Sequence, residues 1–313
     1  MKLRVLFLKK KHIYILLLIL VFLILTLMLF IKKQPAQTFS SMPQTETIKS
    51  DFDGDGNKKD TLYLKKMDSK YCLQIKTENK LYDIAPSSSC KTISDVCNYW
   101  PVHITLMDVS RDKISEIFVQ GCIKDKPIEY VFSWNTNKFE NIFSNSNNIL
   151  GFIDCKNNKT PKVISGKFVD GNIYTYNYIC LDYKFKNYNY ETNQTFMGKD
   201  SICAFINFIQ GLPQNKDYIP RDIFSMNIVD KEFDLISDMA SQNNSYVFQD
   251  AIFKETKCTN KGDASEVLWK LSFKGISNTD KNSIKNYTMS LTLTADPSSD
   301  KKYYFKISSM SLI

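Results

Sequence analysis

Residues 51–60 are the segment whose side chains have the types and spacing of a metal site. They read DFDGDGNKKD, with carboxylates at positions 1, 3 and 5 and a glycine, Gly56, at position 6. Such a loop can wrap hard oxygen ligands around Ca²⁺, because the glycine permits the sharp turn that brings successive carboxylates together. The predicted ligands of a calcium cofactor are Asp51, Asp53, Asp55, Asn57 through its carbonyl, and Asp60.

Lys59 departs from the usual calcium loop. It occupies position 9, where an acidic residue is expected, and Asp60 follows one place later. This shift either weakens calcium binding or is corrected by a one-residue bulge that returns Asp60 to the ion. A third interpretation, an acidic surface turn without metal, also stays open.

Two later segments repeat the pattern of a polar turn before an apolar run. Residues 108–116 precede the run 117–119, and residues 154–162 precede Val163 and Ile164. The first aspartates, at 51, 108 and 154, are 57 and 46 residues apart, a spacing typical of blade-like β repeats. Ser110 and Lys113 replace a carboxylate and the turn glycine in the second copy, and lysines occupy positions 3 and 9 of the third. We therefore expect the later loops to keep the turn and to lose the ion.

The Asp51 loop with its following strand, and the run 104–120, resemble FG-GAP or VCBS repeats. The whole chain is similar to membrane-anchored VCBS-repeat-containing proteins of clostridial type, and the repeats cover about residues 50–165. The resemblance implies a propeller-like β architecture with calcium-binding loops, as is frequent in extracellular adhesion and recognition proteins. Since closed propellers need about four to eight blades, three readable units predict an unclosed β-repeat domain over residues 50–196, with its edges covered by a flanking segment, by another domain or by a partner.

The last part of the chain changes from helical to strand periodicity. Ile202, Phe205, Ile206 and Ile209 predict one helix, and residues 229–240 a second. Alternating apolar residues then predict four strands, at 246–257, 267–273, 287–293 and 303–307. This order of elements resembles the NTF2-like, cystatin-like fold. We therefore predict an α+β domain over residues 197–313.

Residues 13–31 contain no charge and predict a transmembrane helix. As a helix, these 19 residues would be about 28 Å long, close to the thickness of the bilayer core. Five basic residues precede the segment and two follow it, which predicts a cytoplasmic tail (1–12), a signal anchor (13–31), a flexible linker (34–49) and an extracytoplasmic remainder of a single-pass membrane protein. A signal peptide cleaved near Ala36 is the alternative.

The distribution of charge along the chain narrows the choice of partners. Seven of the 41 Lys and Arg lie at or before Lys33, which leaves 34 basic against 33 acidic residues in the remainder. A nearly neutral remainder without a basic stripe argues against nucleic acid as a partner.

All eight cysteines lie in the predicted exported part, where disulfides can form, and the spacing of Cys90 and Cys97 suggests a local bridge.

Catalytic motifs are absent from the sequence. It has no G-x-S-x-G, H-E-x-x-H, phosphate-binding loop or dinucleotide fingerprint, and of its two histidines we expect His103 to be structural. Two distant carboxylates can still meet in space, but we predict no enzyme. We predict a membrane-anchored extracytoplasmic recognition protein of the cell envelope that binds a protein or glycan. The alternative is a structural or assembly component of the envelope or of the sporulation apparatus, without metal dependence.

Overall fold

The computed structural model describes residues 10, 11, 14, 18, 47–78, 80–156, 160–187, 196–299 and 302–313. The chain divides into two compact units, Met1–Thr38 and Phe39–Ile313. In the first unit the described residues, Lys10, Lys11, Tyr14 and Leu18, are helical. All seventeen described strands lie in the second unit.

The predicted transmembrane helix is not supported. No helix among the described residues combines the length and the apolar composition that crossing a bilayer requires. Apart from Tyr14 and Leu18, the predicted span 13–31 lies outside the described residues. So does most of the predicted linker 34–49, whose last residues belong to the first described strand.

The first sheet has five strands. They are β1 (Thr47–Ser50), β2 (Asp60–Met67), β3 (Lys70–Lys76) and β4 (Leu81–Ile84), paired antiparallel in chain order, and β5 (Ser94–Asp95), which pairs with β3. In β3, Tyr71, Leu73 and Ile75 are buried and alternate with more accessible residues, as a strand with one covered face requires. With Phe52 and Leu62 they form a core that this sheet shares with the next one.

The second sheet is a four-stranded antiparallel meander that is covered on both faces. Its strands are β6 (His103–Met107), β7 (Glu116–Ile123), β8 (Lys126–Asn135) and β9 (Lys138–Asn145). On β7, Ile117 and Val119 face the core shared with the first sheet, whereas Phe118 belongs to a separate cluster with Phe152 of the third sheet. The second sheet is therefore the middle layer.

The third sheet has eight strands and joins two distant parts of the chain. It contains β10 (Ile149–Ile153), β11 (Lys162–Val169), β12 (Asn172–Leu181), β13 (Lys184–Asn187), β14 (Asn244–Cys258), β15 (Ala264–Ser277), β16 (Ile284–Ala295) and β17 (Phe305–Leu312), in the order β13-β12-β11-β10-β14-β15-β16-β17. The pair β10–β14 is parallel, and all other neighbours are antiparallel. The strands predicted from the alternation after residue 245 are confirmed as β14 to β17.

Two α-helices of the described part cover one face of the third sheet. They are α1 (Lys199–Gln210) and α2 (Asp230–Ser241). The predicted face of α1 is confirmed, since Ile202, Phe205, Ile206 and Ile209 are all buried. These side chains pack in the main core of the molecule, together with residues of β10 to β12 and β14 to β17.

The predicted fold class is wrong in the C-terminal part. An NTF2-like α+β domain would have a sheet of its own, but the chain is mainly β, and β14 extends the sheet that begins with β10 to β13. Sheet and core continue across residue 197, where we placed the start of a second domain. The alternation of apolar residues predicted the strands correctly, but it carries no information on which distant strand pairs with them.

Each of the three recurring polar loops joins the first two strands of an antiparallel meander. Residues 51–59 lie between β1 and β2, residues 108–115 between β6 and β7, and residues 154–161 between β10 and β11. We call them loop 1, loop 2 and loop 3. The repeat read from the sequence therefore corresponds to a repeated arrangement of strands, and the free edge of β10 is covered by β14.

One disulfide is present among the eight cysteines, all of which are described. It joins Cys155 of loop 3 to Cys258 at the end of β14. Cys90 and Cys97, which we considered as a local bridge, are both free, and the Cys90 thiol donates to the carbonyl of Thr92 at 3.3 Å. The sequence spacing was misleading because backbone turns orient the two side chains toward different neighbours.

Replacing Trp269 with alanine should destabilise the protein by about 3 to 5 kcal/mol, because a large buried side chain is lost and leaves a cavity. Trp269 is 1 % exposed, stacks on Phe253 with ring centroids 4.2 Å apart, and donates from Nε1 to the carbonyl of Met197. Urea denaturation measures the effect. The matched control is Tyr174→Ala on β12, whose side chain is 57 % exposed and whose loss should change little. Equal midpoints for both variants would contradict this assignment of the core.

A fragment of residues 197–313 should not unfold cooperatively when expressed alone. It would lack Ile149, Ile164 and Ile173, which lie in its core, and it would expose the edge of β14 that pairs with β10. Circular dichroism during urea titration, compared with a chain of residues 39–313, measures this. A steep two-state transition of the fragment would mean that it is an independent domain after all.

Candidate metal centre

Loop 1 is held in its turn by the side chain of Asp51. One carboxylate oxygen accepts the backbone N–H of Gly54 at 2.8 Å, and the other accepts that of Gly56 at 2.9 Å. Both glycines have positive φ, +76° and +86°, a region that glycine enters without steric cost. The D-x-D-G-D-G sequence thus forms the tight turn that its spacing predicts.

Asp60 lies beneath this turn, at the start of β2. Its side chain accepts the backbone N–H of Phe52 at 2.9 Å, and the residue is only 2 % exposed. Phe52 is fully buried in the core between the first and second sheets. Loop 1 is therefore attached to the core by the buried side chains of Phe52 and Asp60.

Three carboxylates converge in loop 1. Oxygen atoms of Asp51, Asp53 and Asp60 lie within 4.8 Å of one another. None of the ion pairs found among the described residues involves these three side chains. Burial raises the pKa of Asp60 first of all, and the nearby charges of Asp53, Asp55 and Asp51 raise it further. The loop thus brings three carboxylates together that form no ion pair with a described side chain.

Three of the five predicted ligands are members of this cluster. Asp55 is not: its side chain is exposed and accepts the N–H of Asn57 at 2.6 Å. The contribution of the Asn57 carbonyl stays a prediction. Asp60 belongs to the cluster although Lys59 occupies position 9 and Asp60 follows one place later. This is the result expected if the loop contains a one-residue bulge. Nine positions separate the first aspartate from the terminal acid in loop 1 (60 − 51), against eight in loop 2 (116 − 108).

Loop 2 repeats the hydrogen bonds of loop 1 with different residues. Asp108 accepts the N–H groups of Arg111 at 2.6 Å and Lys113 at 3.1 Å, three and five positions later, as Asp51 does. Arg111 and Lys113 have φ of +65° and +77° where loop 1 has glycine. Glu116 takes the place of Asp60 and accepts the N–H of Val109 at 2.8 Å. The turn geometry is therefore kept without the glycines.

The charge balance of loop 2 differs from that of loop 1. Ser110 stands where loop 1 has Asp53, and the guanidinium of Arg111 contacts the Asp154 carboxylate of loop 3 at 2.6 Å. Burial raises the pKa of Glu116 to about 7. One carboxylate fewer, a basic residue in the turn and a readily protonated acid make loop 2 a poorer cation site than loop 1.

Loop 3 obtains its carboxylate from a different part of the chain. Lys162 stands where Asp60 and Glu116 stand in the other loops, and Glu255 of β14 accepts the N–H groups of Asp154 at 2.6 Å and Cys155 at 2.5 Å. The disulfide from Cys155 to Cys258 joins the same two segments. In all three loops a carboxylate thus satisfies the N–H of the second residue.

The three loops lie side by side, and we call their common surface the loop face. A Cβ atom added to Gly54 of loop 1 would lie 2.5 Å from the side chain of Ile114 in loop 2. Loops 2 and 3 are joined by the ion pair of Arg111 with Asp154, and Tyr183 donates to Asp112 of loop 2 at 3.1 Å. Exposed residues on this face are Gly54, Asp55, Gly56, Lys58, Lys59, Arg111, Lys113 and Lys156.

His103 belongs to a buried polar cluster that joins two sheets. Its Nε2 atom lies 3.6 Å from the Asp250 carboxylate and 3.3 Å from the Ser272 hydroxyl, and Asp250 and Ser272 are 4 % and 2 % exposed. In a nucleophilic triad the serine and the acid contact different nitrogens of the imidazole. Here both contact the same one, which fits the predicted structural role of His103.

Glu129 of β8 is a buried acid that the sequence did not reveal. It is fully buried, accepts the Ser165 hydroxyl at 2.5 Å, and has one carboxylate oxygen without a hydrogen-bond partner. Burial raises its pKa to about 7. The alternation of β8 could have signalled it, since Glu129 falls in register with the buried Val131.

No family model, curated protein or solved structure matches this chain. The FG-GAP or VCBS resemblance of the loops therefore stays a prediction.

The stability of the protein should fall as the pH rises from about 5 to about 7. The pKa values of Glu116 and Glu129 are raised to about 7 in the folded chain, against an ordinary 4.5, so the folded state binds more protons than the unfolded state in this window. Each acid lowers the free energy of unfolding by up to about 1.4 kcal/mol per pH unit between the two values. The stabilisation is fully present below the unfolded pKa and is lost above the folded one.

Urea denaturation at several pH values measures this slope. Glu129→Gln, which is neutral throughout, should remove the contribution of one proton. The control is Glu140→Gln: a hydrogen bond from Lys138 lowers the pKa of Glu140, which stays ionised across the window. A slope that Glu129→Gln leaves unchanged would show that Glu129 is ionised in the folded protein.

Proposed function

We propose that this chain is a non-enzymatic recognition module that acts outside the cytoplasm, with a weakly bound calcium ion ordering loop 1. The observation that carries the proposal is the convergence of Asp51, Asp53 and Asp60 to within 4.8 Å. Carboxylate oxygens are the ligands that Ca²⁺ prefers, and it accepts six to eight oxygens in flexible geometry.

The electrostatics of loop 1 support a cation at this position. The three acids repel one another, and their charges contribute to the raised pKa of Asp60. A bound calcium ion would supply the compensating positive charge and would hold the loop in one arrangement. Asp51, Asp53 and Asp60 would hold it, and backbone carbonyls or water would complete its shell. With only three convergent carboxylates, we expect a Kd on the order of 10⁻⁴ to 10⁻³ M, as in extracellular modules.

The loop face is the surface that we assign to recognition. Loops held on a rigid scaffold commonly carry binding residues, and here three loops extend from sheets that share buried apolar cores. Loop 1 contacts loop 2 through Gly54 and Ile114, so ordering loop 1 would also restrain its neighbour. The partner class is a protein or glycan, since the face offers polar and charged groups of both signs.

The disulfide supports a location outside the cytoplasm. Bonds such as Cys155–Cys258 persist in oxidising compartments and are rare where thiol reductants are abundant. External calcium is also plentiful enough to occupy a weak site. Both points agree with a protein that meets its partner after export.

Calcium should raise the stability of a chain of residues 39–313, by roughly 2.7 kcal/mol when it is present at about 100 times its Kd. Thermal melting in chelator, in calcium and in magnesium measures this, and magnesium should act much less because it prefers a rigid octahedral site. Asp53→Asn and Asp60→Asn should abolish the shift. Asp217→Asn, which removes an equal charge from an exposed residue in another loop, should keep it.

Binding to panels of glycans and of extracellular proteins, with calcium and with chelator, tests recognition separately. We expect binding by the monomer that weakens in chelator and in Asp53→Asn. Equal melting in chelator and in millimolar calcium would reduce loop 1 to an acidic turn. A calcium-stabilised chain that only self-associates would favour an assembly role instead.

A further inference from the structure

Cys97 and Cys122 are free cysteines whose sulfur atoms lie 3.3 Å apart. They are separated by 25 residues and come from different elements: Cys122 is on β7, and Cys97 lies in a short turn before β6. All eight cysteines lie in the described part of the chain, and among the six free ones this is the pair in sulfur–sulfur contact. The contact is tertiary, and sequence spacing could not indicate it.

Both cysteines are held firmly by their surroundings. The Ser94 hydroxyl donates to the carbonyl of Cys122 at 2.9 Å and accepts its N–H at 3.1 Å, which fixes the backbone of Cys122. The turn of Cys97 is closed by the N–H of Trp100, which donates to the Cys97 carbonyl at 3.2 Å. Trp100 is itself anchored by a bond from Nε1 to Asp250 at 2.5 Å. The two thiols therefore meet through a rigid arrangement.

The two thiols differ in access. Cys97 lines an open cleft of about 600 Å³, together with Lys66, Ser69, Tyr99 and Asn282 among others. Cys122 is fully buried behind it. A reagent in the cleft would reach Cys97 first, and Cys122 would reach only Cys97. This is the arrangement of an attacking and a resolving cysteine.

We propose that Cys97 and Cys122 form a second disulfide by exchange with a small-molecule disulfide that enters through this cleft. The Cys97 thiolate attacks one sulfur of the incoming disulfide, whose S–S bond breaks and releases one thiolate. Cys122 then loses its proton to solvent and attacks Sγ of Cys97, which forms the new protein S–S bond and expels the second thiolate. Two protein thiols are oxidised, the incoming disulfide is reduced to two thiols, and the two protein protons balance those that the products take up.

Burial sets the order of these steps. It raises the pKa of the Cys122 thiol and keeps this residue out of reach of the incoming disulfide, so that Cys97 reacts first. The new bond would tie β7 to the turn of Cys97, in which Tyr99 donates to Asp125 and Trp100 to Asp250. It would thereby fix the junction between the first, second and third sheets.

Peptide mapping of the purified full chain tests the proposal. The protein is equilibrated with mixtures of reduced and oxidised glutathione, quenched with acid, alkylated and digested. We expect a peptide pair linked through Cys97 and Cys122, a fall from six free thiols to four (6 − 2), and reversal by excess reduced glutathione. A protein isolated with this bond already closed would also support the proposal.

Single variants separate the two roles. Cys122→Ser should accumulate glutathione on Cys97, and Cys97→Ser should leave Cys122 unmodified. The matched control is Cys180→Ser, which removes another buried thiol and should keep the linked pair. A stable glutathione adduct on Cys97 of the unaltered chain, a link from Cys97 to Cys90, or no link under conditions that keep Cys155–Cys258 closed would each overturn the proposal. Because these outcomes are read from the unaltered chain, they hold even if a variant fails to fold.

Discussion

The parallel pairing of β10 with β14 is the contact on which the rest of the structure depends. Four residues, Ile149 to Phe152, align with Ala251 to Lys254 and turn two halves of the chain into one eight-stranded sheet. Gly151 makes the join possible, since a Cβ there would collide with the ring of Phe253. That ring stacks in turn on Trp269 in the main core. The pairing gives the backbone N–H and C=O groups at the edges of β10 and β14 their hydrogen-bond partners. It also completes the sheet that α1 and α2 cover.

The middle position of the second sheet explains the buried polar groups of the protein. Because β7 and β8 are covered on both faces, each buried side chain on them must be apolar or must find a partner. Gln120 donates to the carbonyl of Ala251, and Glu129 accepts from Ser165, so both contribute polar contacts between layers. Glu116 meets the same demand by accepting the N–H of Val109. Because burial raises the pKa values of Glu116 and Glu129, these carboxylates are easier to protonate than exposed ones. The stability of the middle sheet therefore depends on pH.

The need of shielded polar groups for hydrogen-bond partners also explains why the three loops share one pattern. A backbone N–H that is shielded from water must find an acceptor, and in each loop a side-chain carboxylate accepts the N–H of the second residue. Asp60 and Glu116 supply that carboxylate from the next strand, whereas loop 3 takes it from Glu255 on a neighbouring strand. The turn is thus preserved while the surrounding charges vary. Among the described residues of the three loops, those of loop 1 include three convergent carboxylates, and this is why we propose the cation site there.

The sequence by itself determined what depends on neighbouring residues. The 3.6-residue period of α1, the alternation in β14 to β17 and the turn from Asp51 to Gly56 were all predicted, because each is set within a few residues of chain. Tertiary structure decided the partners: which strand pairs with β14, that Asp60 and not Asp55 joins the carboxylate cluster, and that Cys97 meets Cys122 rather than Cys90. The predicted NTF2-like domain failed as an inference from element order. No described helix supports the predicted transmembrane segment, most of which lies outside the described residues. Local periodicity states which face of an element is buried, but the partner that covers it comes from residues far away in the chain, and only packing selects it.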